Sequence, residues 1–374
     1  MRLVLACHSY FPAVGGVERF AQGVAEGIAK RGWEVTVVTR QDPGSPPQEQ
    51  VGGVTVVRLP MRRIGRFHIP RGYRAELRRL RPDVFHLSGN RVWCADFYLP
   101  FAGGHRWPQV MTGHGFYQYE MHRRWTDRWY FERYLPGRIR KFEVYTSHTV
   151  HETEQLVAWG VDADRIELVP AGIPLEEFSP PRPANPAVRE RYGLTTPFLA
   201  VYAGGFYENK RVDRLVRGIA ATRGRWGLLA FGRDSPGSSC DRGQVVRLAA
   251  DLRAPAAFDG VLSRAAALEA LASADAVVLG SSYEGFGLLL LEAMAAGRPF
   301  VAYRTGAAPE LAATGSGFCV DSEKEFVNSL ARLEDPSLRA EAGAKGRAAV
   351  VDYSVERQVE RFRKVYERAI ATYS

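Results

Sequence analysis

Lysine is scarce in this chain. Six of its 374 residues are Lys against 44 Arg, and with 41 acidic residues the formal net charge is +9. Cysteine is scarcer still: Cys7, Cys94, Cys240 and Cys319 stand alone, with no C-x-x-C pair and no His at metal-ligand spacing. That pattern argues against a disulfide framework or a zinc site and for a reducing, cytoplasmic setting. Also missing is any apolar run of about 18 residues, so no segment reads as a membrane span. The opening Met1 to Cys7 is too short for a signal peptide and continues into His8-Ser9-Tyr10-Phe11-Pro12 rather than a cleavage site, so it reads as a first buried strand. No recognised nucleic-acid module accompanies the positive charge, and no nucleic-acid partner is expected.

What is present is a strand-helix beat, supported by 46% apolar residues. Leu3 to Ala6, Glu34 to Thr39, Val54 to Leu59, Val84 to Leu87, Val110 to Thr112, Phe142 to Tyr145 and Ile166 to Val169 read as strands. Val17, Phe20, Ala21, Val24 and Ile28 follow a helical period closed by Gly32. The proline-rich stretch from Ile173 to Tyr192 reads as an extended crossing, after which Phe198 to Tyr202, Leu228 to Phe231, Ala276 to Leu279 and Phe300 to Ala302 restart the beat. The expected organisation is an N-terminal domain over 1–175, a second over 190–354, and an amphipathic helix over about 355–374 that belongs with the first.

The chemistry concentrates in Ser281-Ser282-Tyr283-Glu284-Gly285-Phe286-Gly287, where a buried strand feeds the apolar helix Leu288 to Ala296. Free amides and the positive dipole end of a helix start favour an anion, and Gly285 and Gly287 let backbone approach it. Glu292 lies on that apolar helix, where an unpaired carboxylate costs several kcal/mol, about the charge-burial penalty, and therefore needs a partner. Seven residues separate Glu284 from Glu292, with Gly-Phe-Gly between them and Glu-Ala-Met-Ala-Ala-Gly-Arg-Pro beginning at Glu292.

This arrangement resembles the signature of the retaining glycosyltransferases of family 4 (glycosyl transferases group 1). The resemblance implies an α/β, GT-B fold: two Rossmann-like doubly wound domains facing across a cleft, with the C-terminal helix returning to the N-terminal domain. It implies transfer of a sugar from a UDP-, GDP- or ADP-sugar to an acceptor hydroxyl with retention, with no cofactor and no metal. Glu284 would lie by the donor sugar, Glu292 would bond the ribose, and Gly285, Phe286, Gly287 and Leu288 would meet the diphosphate. Lys210, in Gly204-Gly205-Phe206-Tyr207-Glu208-Asn209-Lys210-Arg211, matches the lysine that neutralises the leaving diphosphate; with so few lysines in the chain, it is not simply a default cation. The Arg usual beside the first glycine is here Gly205, and Arg211 is the candidate to restore its charge. The Gly15-Gly16 loop resembles the loop after the first strand, His114 between Gly113 and Gly115 resembles the histidine near the sugar, and Gly260-Val261 resembles the base-binding loop. The catalytic set is thus Glu284, His114 and Lys210.

Asp162-Ala163-Asp164 spells a metal-dependent transferase motif but reads as a turn feeding a strand. The Arg-rich run through Arg58, Arg62, Arg63, Arg66, Arg71 and Arg74, and the Arg-aromatic stretch Arg123 to Tyr134, suit peripheral contact with an anionic membrane. The expected acceptor is lipid-linked or an anionic glycan. A nucleotide-sugar epimerase of the same fold and a non-catalytic scaffold remain alternative readings.

Overall fold

The central strands are short apolar runs that end at polar or glycine turns, parallel and buried on both faces. The structure is a computed structural model, and it describes residues 1–13, 15–64, 67–89, 93–98, 107–115 and 129–373. By contacts the chain divides into two units: Met1–Gly172 with Val355–Ser374, and Ile173–Ser354.

In the first unit the strands are β1 (Arg2–Cys7), β2 (Glu34–Arg40), β3 (Gln48–Val51), β4 (Val54–Leu59), β7 (Val84–Ser88), β8 (Gln109–Thr112), β9 (Val144–Ser147) and β10 (Ile166–Leu168). They form one sheet in the order β10-β9-β8-β7-β1-β2-β4-β3, parallel except where β3 pairs with β4. A separate hairpin joins β5 (Met61–Ile64) to β6 (Phe67–Pro70). One face of the sheet packs on Gly16–Ala29 and the C-terminal helix Val355–Tyr373, through Phe20, Val24, Ile28, Phe362 and Tyr366. The buried ring of His86 on β7 bridges Tyr366 Oη and Thr112 Oγ1, each at 2.8 Å, tying that last helix to the sheet.

Several expectations are corrected. Val17 is exposed, because the first helical turn projects beyond the sheet. The strand expected from Phe142 begins at Val144, since Phe142 is held in a turn where its N–H donates to Tyr145 Oη. The strand expected to reach Val169 ends at Leu168. The crossing from 173 to 192 is not wholly extended: it contains a 3-10 turn at Leu175–Phe178 and a helix at Ala187–Arg191.

The second unit holds β11 (Phe198–Ala203), β12 (Trp226–Phe231), β13 (Ala256–Asp259), β14 (Ala276–Leu279), β15 (Phe300–Tyr303) and β16 (Gly317–Val320) in the order β13-β12-β11-β14-β15-β16, all parallel. The strand order reverses between β11 and β14. In open α/β sheets such a switch point, at the carboxyl ends of the strands, is where ligands bind.

Candidate active site

Two turns leave the switch point side by side. The one after β11 is anchored by the fully buried Phe206, whose N–H donates to Arg233 O, and by Tyr202 Oη donating to Gly205 O at 2.9 Å. The one after β14 is laced to it: Ser282 N donates to Asn209 O at 2.9 Å, and Asn209 Nδ2 to Tyr283 O at 3.3 Å. Gly280 lies beneath the crossing, where a Cβ would stand 2.7 Å from Arg211 O.

This lacing brings Lys210 to Glu284. Lys210 Nζ donates to Glu284 Oε1 and Oε2 at 2.7 and 2.8 Å, and Ser281 Oγ donates to Oε1 at 2.7 Å. Gly287 then caps the helix Leu288–Ala295 in the left-handed region, φ 100°, and the first N–H groups of that helix have no intrahelical acceptor. The turn is supported from behind by Ala307 N, which donates to Phe286 O at 2.8 Å, and by Gly306, where a Cβ would meet Phe286 O at 2.5 Å.

Glu292 has the partner its burial demands. Arg264, the first residue of the helix Arg264–Ser273, donates through Nη1 to Glu292 Oε1 at 2.7 Å and through Nε and Nη2 to Glu177 Oε2 at 2.7 and 2.5 Å. Its guanidinium also lies 5.7 Å from the centre of the Phe178 ring. One arginine thus holds the carboxylate on the apolar helix and the 3-10 turn Leu175–Phe178. Arg264, Glu177 and Ser281 were not singled out from the sequence, where no spacing links residues 177, 264 and 292.

Gly260 and Val261 follow β13: Gly260 O accepts from Gly232 N at 3.0 Å, and Val261 is 74% exposed. Gly204 and Gly205 lie in the first turn. Tyr207 occupies the space a larger residue at 205 would need, since a Cβ there would fall 2.1 Å from its ring. Arg211 is engaged elsewhere. Its Nε and Nη2 fork onto Asp213 at 2.9 Å each; burial opposes the charge on Asp213, but this fork holds the carboxyl below its usual range.

In the first unit, His114 follows β8 with φ 54°. Its Nε2 meets Ser88 Oγ at 2.8 Å and its Nδ1 meets His148 Nε2 at 3.0 Å, while His148 Nδ1 meets Val169 O at 2.9 Å. A carbonyl only accepts, so His148 carries its proton on Nδ1, His114 donates from Nδ1, and His114 Nε2 accepts from Ser88. Burial, with His148 and His86 nearby, holds the His114 ring well below the ordinary histidine range, in keeping with neutral tautomers. At Gly15-Gly16 the start of the first helix is already faced by Glu18: its carboxylate accepts from Ser9 Oγ at 2.5 Å, and a Cβ on Gly15 would fall 2.2 Å from Oε2.

The basic run divides. Arg58 is buried, pairs with Glu49 at 2.5 Å and donates to Phe11 O at 2.7 Å, so it is a structural cation and not part of a surface patch. Arg62, Arg71, Arg74, Arg78 and Arg81 are exposed. The side chains of Arg63 and Arg66, and residues 123–128, lie outside those described. Of Asp162-Ala163-Asp164, Asp162 is extended and the other two open the 3-10 turn Ala163–Arg165 that feeds β10. Among the described residues no group of three His, Cys, Asp or Glu stands together as a metal site, and no helix is long and apolar enough to cross a membrane.

Residues 14–177 match Glycosyltransferase Family 4, and residues 197–335 match Glycosyl transferases group 1. Among curated relatives, the GDP-mannose-dependent alpha-(1-6)-phosphatidylinositol dimannoside mannosyltransferase of Mycobacterium tuberculosis is 28% identical, over 87% of this chain and 86% of that protein. The D-inositol 3-phosphate glycosyltransferase of Acidothermus cellulolyticus is 28% identical over 96% and 86%. Of solved structures, the sucrose-phosphate synthase of Thermosynechococcus elongatus superposes with a TM-score of 0.82 at 21% identity, covering 99% of both chains. Anabaena HepE in complex with UDP-glucose gives 0.78 at 17%, covering 97% of this chain and 98% of that one.

Proposed function

Because this chain is a glycosyltransferase of the GT-B fold, with halves belonging to Glycosyltransferase Family 4 and Glycosyl transferases group 1, we propose that it moves a hexose from a nucleoside-diphosphate sugar to an acceptor hydroxyl with retention and without a metal ion. The observation that carries this reading is the pairing of Lys210 with Glu284 beside the helix start at Gly287. As the bond from sugar C1 to the diphosphate breaks, negative charge grows on the leaving phosphate. A fixed ammonium and free helix amides stabilise that charge more in the transition state than in the ground state.

Glu284, released when Lys210 turns to the diphosphate, accepts hydrogen bonds from the sugar hydroxyls. Glu292 accepts from the ribose, aimed by Arg264. Phe286, Gly287 and Leu288 offer amides to the diphosphate, and Gly260 and Val261 receive the base. Neutral His114 serves the sugar or leaving region by exchanging its contact with Ser88. Arg211 is forked onto Asp213, as Lys210 is paired with Glu284, and would have to exchange that fork to offset the Arg absent at Gly205. The epimerase and scaffold readings are set aside, since the relatives are named as transferases.

Both relatives are named for acceptors containing inositol and phosphate. We extend this to an acceptor bearing an anionic phosphate, reached at a membrane surface by the exposed arginines between 62 and 81. Pelleting with anionic but not neutral vesicles at low salt supports that placement, and equal pelleting contradicts it. Stereochemistry is tested by NMR of the sugar freed during slow donor hydrolysis. Retention requires that the anomer held in the donor appear first; the opposite anomer overturns it. Full activity in EDTA is expected.

A further inference from the structure

Where the donor turn leaves the carboxyl end of β14, a second pocket opens at the amino ends of β14 and β15, roughly 13 Å away along four residues of strand. It is a cavity of about 620 Å³ lined by Asp275, Arg298, Arg339 and Arg347, with Gly297 and Gly343 in its wall. Arg339 is committed, its Nη1 donating to Leu333 O at 2.5 Å and its guanidinium lying 5.1 Å from the centre of the Phe198 ring, so Arg298 and Arg347 are the cations that line the pocket without such a set of partners. The carboxylate is already occupied: Asp275 Oδ2 accepts from Leu199 N at 2.8 Å and from Arg189 Nη2, while Arg339 Nε stands 3.7 Å from Oδ1.

Arg298 is the unusual member. Its Nε is buried without a hydrogen-bond partner, which leaves a donor whose desolvation is uncompensated, a penalty of about 1–3 kcal/mol. Burial pushes its guanidinium below the ordinary arginine range; Asp275 opposes that shift, and the charges of Arg347 and Arg339 add to it. Arg347 lies across Gly297, close enough that a Cβ there would fall 2.1 Å from Arg347 Nε. Only a glycine, here with φ 67°, leaves the arginine that approach.

The helix Leu288–Ala295 ends beside this pocket, yet its end does not need these cations. Ala296 N, Gly297 N and Arg298 N donate to Glu292 O, Met294 O and Ala293 O, each at 2.9 Å, so the backbone closes its own terminus.

We propose that this pocket is a binding site for a phosphate dianion, free or carried as a monoester on a small molecule, held by the guanidinium groups of Arg298 and Arg347, with Arg339 contributing charge from its wall. Planar guanidinium groups match phosphate oxygens two at a time, and the positive charge of Arg298 and Arg347 is balanced in the pocket only by Asp275. The site is separate from the donor turn and does not depend on the proposed reaction.

The test is calorimetric titration of the full-length protein with inorganic phosphate and, separately, with glycerol 3-phosphate, at ionic strength held constant with NaCl. Arg347 is exposed, so Arg347→Ala is expected to fold normally and to weaken binding at least about tenfold, the loss of one charge-assisted contact. Phosphate could also enter the donor turn, so the comparison is repeated in a Lys210→Ala background, where Arg347→Ala should cause the same loss. A second readout is the Arg298 Nε–Hε resonance, assigned by its loss in Arg298→Lys, which should shift on adding phosphate. Tighter binding of the monoester assigns an esterified ligand, tighter inorganic phosphate a free anion, and either supports the site. Titrations that match in wild type and Arg347→Ala, or an Arg298 resonance that does not move, would overturn it.

Discussion

Lys210 Nζ lies within 2.8 Å of both carboxylate oxygens of Glu284, so the cation assigned to the leaving diphosphate is already neutralised in the absence of ligand. The side chains are 22% and 12% exposed, so the pair is only partly screened, and a diphosphate would have to take the place of Glu284 as the charge-assisted partner. Glu284→Gln removes the competitor while keeping the shape. The expected result is roughly fivefold tighter binding of the nucleoside diphosphate, since a partly screened pair is worth about 1 kcal/mol. Sugar transfer should fall by about 10²–10³, the usual cost of one electrostatic contact to the reacting group. Calorimetry and initial rates on the same variant separate the two effects, and weaker nucleotide binding would refute the exchange.

Arg264 bridges Glu177 and Glu292, the carboxylate proposed to bond the ribose, so that proposed contact would be a shared one. A carboxylate bond to a ribose hydroxyl contributes about 1.5–3 kcal/mol, so wild type should prefer the ribonucleotide over the deoxynucleotide by roughly 10- to 100-fold. Glu292→Ala should abolish that preference. Arg264→Ala should reduce it, because Glu292 loses the group that aims it. An undiminished preference in Glu292→Ala would place the ribose elsewhere.

Gly205→Arg restores the side chain usual in the family, but Tyr207 fills the space in which its Cβ would stand. The single substitution should lower Tm by several degrees, about 1–3 kcal/mol of overpacking. Gly205→Arg with Tyr207→Ala should recover most of the loss. A single variant as stable as wild type would show that Tyr207 yields freely.

The buried His86 is pushed down to about 3, by burial first and by His148 nearby. An unfolded histidine titrates near 6.5. The folded pKa is the lower one, so the contribution of neutral His86 is complete above about pH 6.5 and is lost as pH falls from there towards 3, at up to about 1.4 kcal/mol per unit. In His86→Gln this slope should disappear while the responses of other groups remain. Parallel stability curves for the two proteins between pH 3 and 7 would contradict it.

Much of this was legible in the residues because the parallel strands are unbroken apolar runs, and the donor turn joins strand to helix within one local stretch, Ala276 to Gly297. The edge strand Gln48–Val51 and the hairpin at Met61–Ile64 and Phe67–Pro70 were not, since their polar and arginine-rich text carries no strand period. Arg58 read as surface charge until its contacts with Glu49 and Phe11 were seen. The need of Glu292 for a partner could be argued from its helix, but the identity of Arg264 depended on a contact 28 residues away, which only the folded chain supplies.

A nucleoside diphosphate is proposed to bind at the Lys210 and Glu292 turns of the second unit. The most direct test is thermal stabilisation by UDP, GDP and ADP in wild type, Lys210→Ala and Glu292→Ala, since a ligand that binds only the folded state must raise its stability. One of the three should raise Tm selectively in wild type, with the shift lost or sharply reduced in both variants. No shift with any of them, or shifts that persist in both variants, would contradict the assignment of the donor site.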